Sequence, residues 1–218
     1  MKEVAKIILI LTNIPILISA IYALTFYKRM DCKFKIFSCF LFFSFLVQAS
    51  SSALWFLGKN NLPLLHIYVA GGFILLAWFY REILADFIDK RIINAIMVIF
   101  TLFTLANTLF WQPIYVFNSY ALTIESALLL FFSLCWFISS MTLMGSDTPH
   151  DKTEVSSINW INAGIMIYYS SSLLIFYFGT MITSFSKNMN RYAWAIHSFF
   201  SITMYCFFLI ALWKKQKN

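Results

Sequence analysis

The sequence WQPIYVFNSYALTIES at residues 111–126 leads into an apolar run that continues to residue 144. Residues 120–144 are long enough for an α-helix that crosses a bilayer, which takes about 20 residues. Glu125 lies inside this run. A charged side chain at the centre of a bilayer costs roughly 2.5–3.5 kcal/mol on insertion scales, and less near the interface. The position of Glu125 therefore predicts a functional residue whose partner lies on another helix.

The composition of the whole chain predicts an integral membrane protein. Of the 218 residues, 61% are hydrophobic and only 11% are charged. Soluble domains are about 45–50% apolar and about 25% charged. So many apolar side chains do not fit inside one globular core of this length, and they require lipid around them.

Seven apolar stretches predict an all-α fold with seven transmembrane helices. The connections between them are short, so we expect residues 1–218 to form a single domain. We expect the longest connection, residues 145–157, to be a solvated cytoplasmic loop. The predicted helices cover residues 4–26, 35–57, 62–84, 92–111, 120–144, 158–182 and 192–213.

The distribution of basic residues predicts how the helices are oriented. The segments after helices one, three, five and seven contain 11 of the 16 Lys and Arg residues, and the opposite face contains 5. Because cytoplasmic segments carry the excess of Lys and Arg, we expect the N-terminus outside and the C-terminus inside a bacterial inner membrane. The basic residues occur in short clusters between apolar runs, which indicates the lipid bilayer as the partner and not nucleic acid.

Rare polar residues of several helices fall at similar depths below the outer end, counted at 1.5 Å per helical residue. They predict an outward-facing polar pocket that binds a ligand. Tyr168 and Tyr205 are expected to help line its floor. The predicted pocket residues are Glu125, His66, His197, Asn107, Gln48, Asn13 and Tyr169.

Within this pocket we expect Glu125 to pair with a protonated His66 or His197. Such a pair senses pH or binds a polar ligand. The alternative is that these side chains lie at headgroup level and bind water or neighbouring helices. Two histidines and one carboxylate also suit a zinc or iron ion, but the histidine spacing is unlike known motifs and His150 lies in the opposite loop. We therefore expect no metal and no cofactor, and we assign no catalytic residue.

Four segments resemble a group of small bacterial seven-helix integral membrane proteins. They are NLPLLHIY at 61–68, QPIYVFNSYALTIES at 112–126, WINAGIMIYYSS at 160–171 and WAIHSF at 194–199. That group is similar to the membrane-embedded sensory modules of bacterial signalling systems. The resemblance implies a seven-helix sensor and no particular ligand.

The sequence favours a receptor-like or sensory protein over an enzyme. Because no output domain is recognisable between the helices, the signal is expected to pass to a membrane-bound partner such as a sensor kinase. A small-solute transporter of three-plus-one-plus-three type is an alternative. A second alternative is an intramembrane hydrolase that uses Glu125 with His66 or His197. A transporter requires polar groups along a path to both faces, whereas a receptor pocket is closed on the cytoplasmic side.

Overall fold

The computed structural model describes residues 2–145, 152–178 and 187–216, with side chains for 11–142, 152–178 and 192–216. All regular structure in these residues is helical. A single 3₁₀ turn, Tyr27–Arg29, follows the first helix, and a π-helical turn, Asn107–Trp111, extends the fourth. The helices are α1 Lys2–Phe26, α2 Cys32–Phe56, α3 Leu62–Ile83, α4 Lys90–Ala106, α5 Ser119–Gly145, α6 Lys152–Tyr177 and α7 Lys187–Gln216.

The all-α, seven-helix prediction is confirmed for the described residues. Six of the helices, all except α6, are long and apolar enough to cross a membrane. These six helices indicate a multi-pass membrane protein. Helix α6 is more polar because it packs between α5 and α7, where Asn162 and Ser172 are buried against protein. Polar side chains on such a protein-facing helix form hydrogen bonds with its neighbours.

Short connections make successive helices run in opposite directions. The beginnings of α1, α3, α5 and α7 therefore meet at one end of the bundle, which we call the N-terminal end. The beginnings of α2, α4 and α6 meet at the C-terminal end. Contacts between distant parts of the chain agree with this arrangement, since Lys33 near the start of α2 binds Glu154 near the start of α6.

Local sequence explains where α2 ends and α3 begins. Gly58 follows α2 with a positive φ of 68°, a conformation that suits glycine. The amides of Gly58 and Lys59 donate to the carbonyls of Trp55 and Leu54, which is the Schellman arrangement. The Asn60 side chain then accepts a hydrogen bond from the amide of Leu62 at 2.9 Å. This bond satisfies the amide of the first residue of α3.

The predicted boundaries of α6 and α7 are wrong. Helix α6 begins at Lys152, so part of the expected loop is helical, and α7 begins at Lys187. The reason for the early start of α6 is Glu154, which is favourable in the first turn and binds the side chains of Lys33 and Lys215. Helix α6 ends at Tyr177 and not at 182. Residues 146–151 and 179–186, with the His150 position, lie outside the described residues.

Two glycines allow close packing between helices. A Cβ atom at Gly164 of α6 would lie 3.2 Å from the backbone oxygen of Met204 in α7. A Cβ atom at Gly71 of α3 would lie 2.5 Å from the ring of Phe43 in α2. These two small residues therefore lie where neighbouring helices approach closely.

Phenylalanines from four helices fill the centre of the bundle and much of its C-terminal half. The ring of Phe37 lies 4.9 Å from that of Phe208 and 5.4 Å from that of Phe79, centre to centre. All of these rings are at most 1% exposed. We call this group the phenylalanine layer, and it consists of Phe37, Phe40, Phe79, Phe132 and Phe208.

Candidate functional site

Glu125 lies in the second turn of α5 and is only 1% exposed. Its Oε1 atom accepts a hydrogen bond from the Tyr169 hydroxyl of α6 at 3.4 Å. Its Oε2 atom is buried and has no hydrogen-bond partner among the described side chains. A buried polar atom without a partner costs about 1–3 kcal/mol. The carboxyl group therefore retains an unused acceptor inside the bundle.

Tyrosines from three helices surround this carboxyl group. Tyr68, Tyr168 and Tyr169 lie within electrostatic range of Glu125, and Tyr205 lies within range of all three. Three of the rings are buried, and Tyr68 is half-buried. We call Tyr68, Tyr168, Tyr169 and Tyr205 the tyrosine cluster. With Glu125, it brings α3, α5, α6 and α7 together at one level.

Ser44 and Gly72 complete the surroundings of the cluster. The Ser44 hydroxyl of α2 is buried near the hydroxyls of Tyr68 and Tyr205, but no hydrogen bond of standard geometry satisfies it. A Cβ atom at Gly72 would lie 3.9 Å from both Glu125 Oε1 and the Tyr68 ring. The glycine therefore leaves room for about one methyl group beside the carboxyl oxygen.

His197 connects the tyrosine cluster to the N-terminal end of the bundle. Its Nε2 atom is 3.3 Å from the Tyr168 hydroxyl, and its Nδ1 atom is 3.1 Å from the Ser172 hydroxyl. The rings of Phe176 and Trp194 lie 5.2 and 5.4 Å from the imidazole. His197 is half-buried and Trp194 is 36% exposed, so they lie between the buried cluster and the surface.

The phenylalanine layer closes the other side of the site. Phe40 lies 3.9 Å from the same Gly72 Cβ position that approaches Glu125. Beyond the layer, the buried Tyr80 hydroxyl donates to Asn162 Oδ1 at 2.8 Å, and the Asn162 amide donates to the Ser133 carbonyl at 3.1 Å. These polar groups satisfy each other and are separated from Glu125 by packed aromatic rings.

The structure separates His66 and Asn107 from Glu125. His66 Nε2 donates to the carbonyl of Val116 at 3.0 Å, and its Nδ1 is 2.9 Å from the Thr108 hydroxyl. The Asn107 amide donates to Gln112 and Asn118. Both side chains therefore hold the connection between α4 and α5. The expected pairing of Glu125 with a histidine is not formed, because Tyr169 occupies that place.

Asn13 and Gln48 lie on the α1–α2 side of the bundle. The Asn13 amide donates to the Ser52 hydroxyl at 3.0 Å. Gln48 is half-buried on α2, one turn from Ser52 and one turn from Ser44. Of the seven predicted pocket residues, the structure thus joins Glu125, Tyr169 and His197 through the tyrosine cluster, whereas His66, Asn107 and Asn13 bind partners outside it.

The described residues give no geometry for a metal centre. No group of three His, Cys, Asp or Glu side chains in 11–142, 152–178 and 192–216 is close enough to hold an ion. Among the described residues, neither His66 nor His197 is hydrogen-bonded to Glu125.

Tyr68, Gly72 and Ser44 were missed by the sequence reasoning. Tyr68 and Gly72 are four residues apart and therefore share one face of α3. Ser44, Gln48 and Ser52 follow each other at the same spacing on α2. The four-residue spacing indicates that these side chains share one face of their helix. It does not indicate which neighbouring helix that face packs against.

Comparisons of the chain with family models, with curated proteins and with solved structures found no match. The resemblance to bacterial sensory modules therefore stays a prediction.

Proposed function

We propose that this chain is a receptor-like sensory protein of a bacterial inner membrane that binds a small solute at Glu125. The observation that supports it most strongly is the buried carboxyl group, which has one oxygen without a partner among the described residues and accepts a hydrogen bond from Tyr169 on the other. A concave site with a few convergent polar groups in apolar surroundings is typical of ligand binding. An intramembrane ionisable residue is also a functional hypothesis by default.

The proposed orientation places the solute on the outer side. The basic segments at the C-terminal end favour that end as cytoplasmic, and they include Lys33, Lys90 and Lys215. Glu125 then lies one to two turns below the outer surface, with half-buried His197 between the site and that surface.

The closed C-terminal side favours a receptor over a transporter. A transporter requires a polar path that continues past the binding site to the second face. Here Phe40 of the phenylalanine layer lies beside the Gly72 position that also approaches Glu125, and Tyr80, farther toward the C-terminal end, is already bonded to Asn162. A transporter would have to open this layer during each cycle.

Helix α6 offers a route by which binding reaches the cytoplasm. Tyr169 of this helix contacts Glu125, and Glu154 near its start binds Lys33 of α2 and Lys215 of α7. Lys215 also binds Asp31 at 2.9 Å. We call Asp31, Lys33, Glu154 and Lys215 the ionic cluster. A shift of α6 at Tyr169 would change the geometry of this cluster, where a partner protein would detect it.

The test compares strains of the source organism in which the gene for this chain carries Glu125→Gln, carries Glu82→Gln or is deleted. Glu82 is a matched control because the same chemical change falls on a carboxylate that pairs with Lys90 at the C-terminal end. Cells are moved between media of different solute content, and their transcripts are measured. We expect the deletion and Glu125→Gln to abolish the same responses, and Glu82→Gln to retain them.

Two results would contradict the proposal. One is a Glu125→Gln strain whose transcripts respond like those of the wild type. The other is uptake of the effective solute into proteoliposomes above the level of protein-free vesicles, which would make the chain a transporter.

A further inference from the structure

We propose that the solute bound at Glu125 is a small organic cation of the alkylammonium class; this proposal rests on the function proposed above. It is drawn from the charge of the site, from its aromatic walls and from the space beside Gly72.

The charge of the site favours a cation. Among the described residues, two glutamates at the C-terminal end have lysine partners: Glu82 lies 3.0 Å from Lys90, and Glu154 lies 2.8 Å from Lys33. Glu125 has only the Tyr169 hydroxyl on one oxygen and no partner on the other. A carboxyl group buried in this way is ionised only when a positive partner stabilises the charge, which a cationic solute would supply and an anionic solute would not.

The walls of the site favour an organic cation over a metal ion. Aromatic faces attract ammonium groups, and rings of this kind form the cages that recognise methylated amines. The rings of Tyr168 and Tyr169 are nearly perpendicular with centres 4.8 Å apart, so they present both an edge and a face. Calcium and magnesium prefer six or more oxygen ligands, whereas the hydrogen-bond partner of Glu125 within the described part of the chain is a single tyrosine hydroxyl.

The space beside Gly72 limits the size of the cation. A methyl group at this position would be in van der Waals contact with Glu125 Oε1, the Phe40 ring and the Tyr68 ring, each at 3.9 Å. These side chains are therefore packed closely around Oε1, and only a small cation would fit beside it. His197 and Trp194 lie between this space and the N-terminal end and mark the way in.

An ammonium group reaches the site either as a free amine or as the headgroup of a lipid. The free amine and the headgroup carry the same ammonium chemistry, and measurements in two different environments distinguish them. Free amines bind in lipid-free detergent, whereas a headgroup requires nanodiscs that contain phosphatidylethanolamine.

The experiment is a titration of the purified full-length chain with methylammonium chloride, followed by the thermal unfolding midpoint and by tryptophan fluorescence. Sodium chloride of equal concentration and the neutral analogue acetamide are the comparison solutes. We expect saturable binding of methylammonium that Glu125→Gln weakens at least about tenfold. Glu82→Gln should bind like the wild type.

A second variant covers the case in which Glu125→Gln does not fold. Gly72→Ala retains the carboxyl group and fills the space beside it, so it should weaken methylammonium binding by about tenfold. If methylammonium raises the midpoint only in phosphatidylethanolamine-free detergent, the source is a free amine. If Glu125→Gln and Gly72→Ala differ from the wild type in their unfolding midpoint only in nanodiscs that contain phosphatidylethanolamine, the source is the lipid headgroup.

The remaining outcomes separate the two proposals. If sodium chloride or acetamide raises the thermal unfolding midpoint of the wild type but not of Glu125→Gln, and methylammonium does not raise it, the cation proposal is wrong. The binding site at Glu125 would then still stand. Methylammonium binding of equal strength in the wild type, Glu125→Gln and Gly72→Ala overturns the assignment of the site itself.

Discussion

Replacing both members of the Glu125–Tyr169 contact should stabilise the folded protein. The double variant Glu125→Met with Tyr169→Phe keeps side chains of similar size and removes both polar groups. Proteins commonly give up stability at functional sites, where polar groups are held ready for a ligand. A carboxyl group that serves only the fold would have no such cost.

The expected magnitude follows from the contacts of the two side chains. Removing the unpartnered Oε2 atom recovers about 1–3 kcal/mol, the cost of a buried acceptor without a donor. The lost bond to Tyr169 is long, at 3.4 Å. Hydrogen bonds between membrane helices are worth about 0.6 kcal/mol on average, so its loss is the smaller effect. We therefore expect the double variant to be more stable by about 1 kcal/mol.

The assay is reversible unfolding in mixed detergent micelles, with Tyr80→Phe as the control. The Tyr80 hydroxyl is satisfied by Asn162 at 2.8 Å, and its removal leaves a buried amide oxygen without its donor. This variant should lose about 1–3 kcal/mol, which is the opposite sign. If the double variant is also destabilised by more than about 1 kcal/mol, Glu125 is a satisfied structural group and the reasoning is refuted.

Three further substitutions test how the bundle is held together. Lys215→Met removes the shared partner of Asp31 and Glu154, so it should lower the free energy of unfolding by about 1 kcal/mol, a loss that shrinks in about 1 M salt. Equal losses at low and high salt would contradict the ionic explanation. Gly164→Val places side-chain atoms against the α7 backbone and should cost roughly 1–3 kcal/mol in the same assay; an unchanged midpoint would argue against this contact. His66→Leu should speed amide hydrogen exchange at residues 112–118, and unchanged exchange would show that its two contacts do not hold the connection.

The all-α fold could be predicted because membrane helices leave a strong signal in the sequence. An apolar run of about 20 residues is typical of a membrane-spanning helix, and such runs located six helices that are long and apolar enough to cross a membrane. Helix α6 was harder to place because hydropathy reports contact with lipid and α6 mainly contacts protein. Its first turn depends on Glu154 and two distant lysines, so local sequence does not show where it begins.

The level of the candidate site could be predicted, but its contacts could not. Helix geometry fixes the depth of a residue at 1.5 Å per position, which placed Glu125 and His197 at similar levels. The rotation of each helix decides which side chains meet, and one sequence does not reveal it. Tyr169 therefore takes the place expected for a histidine, while His66 binds Val116 in a connection whose path the sequence does not specify.

The most direct test of the central claim is an experimental structure of the chain in lipid with methylammonium present, at a resolution that shows side chains. The account predicts that Glu125 faces Tyr169 inside the bundle and that density for the cation contacts Oε2. A Glu125 side chain that faces lipid, or one that is paired with a lysine or arginine, would contradict the account.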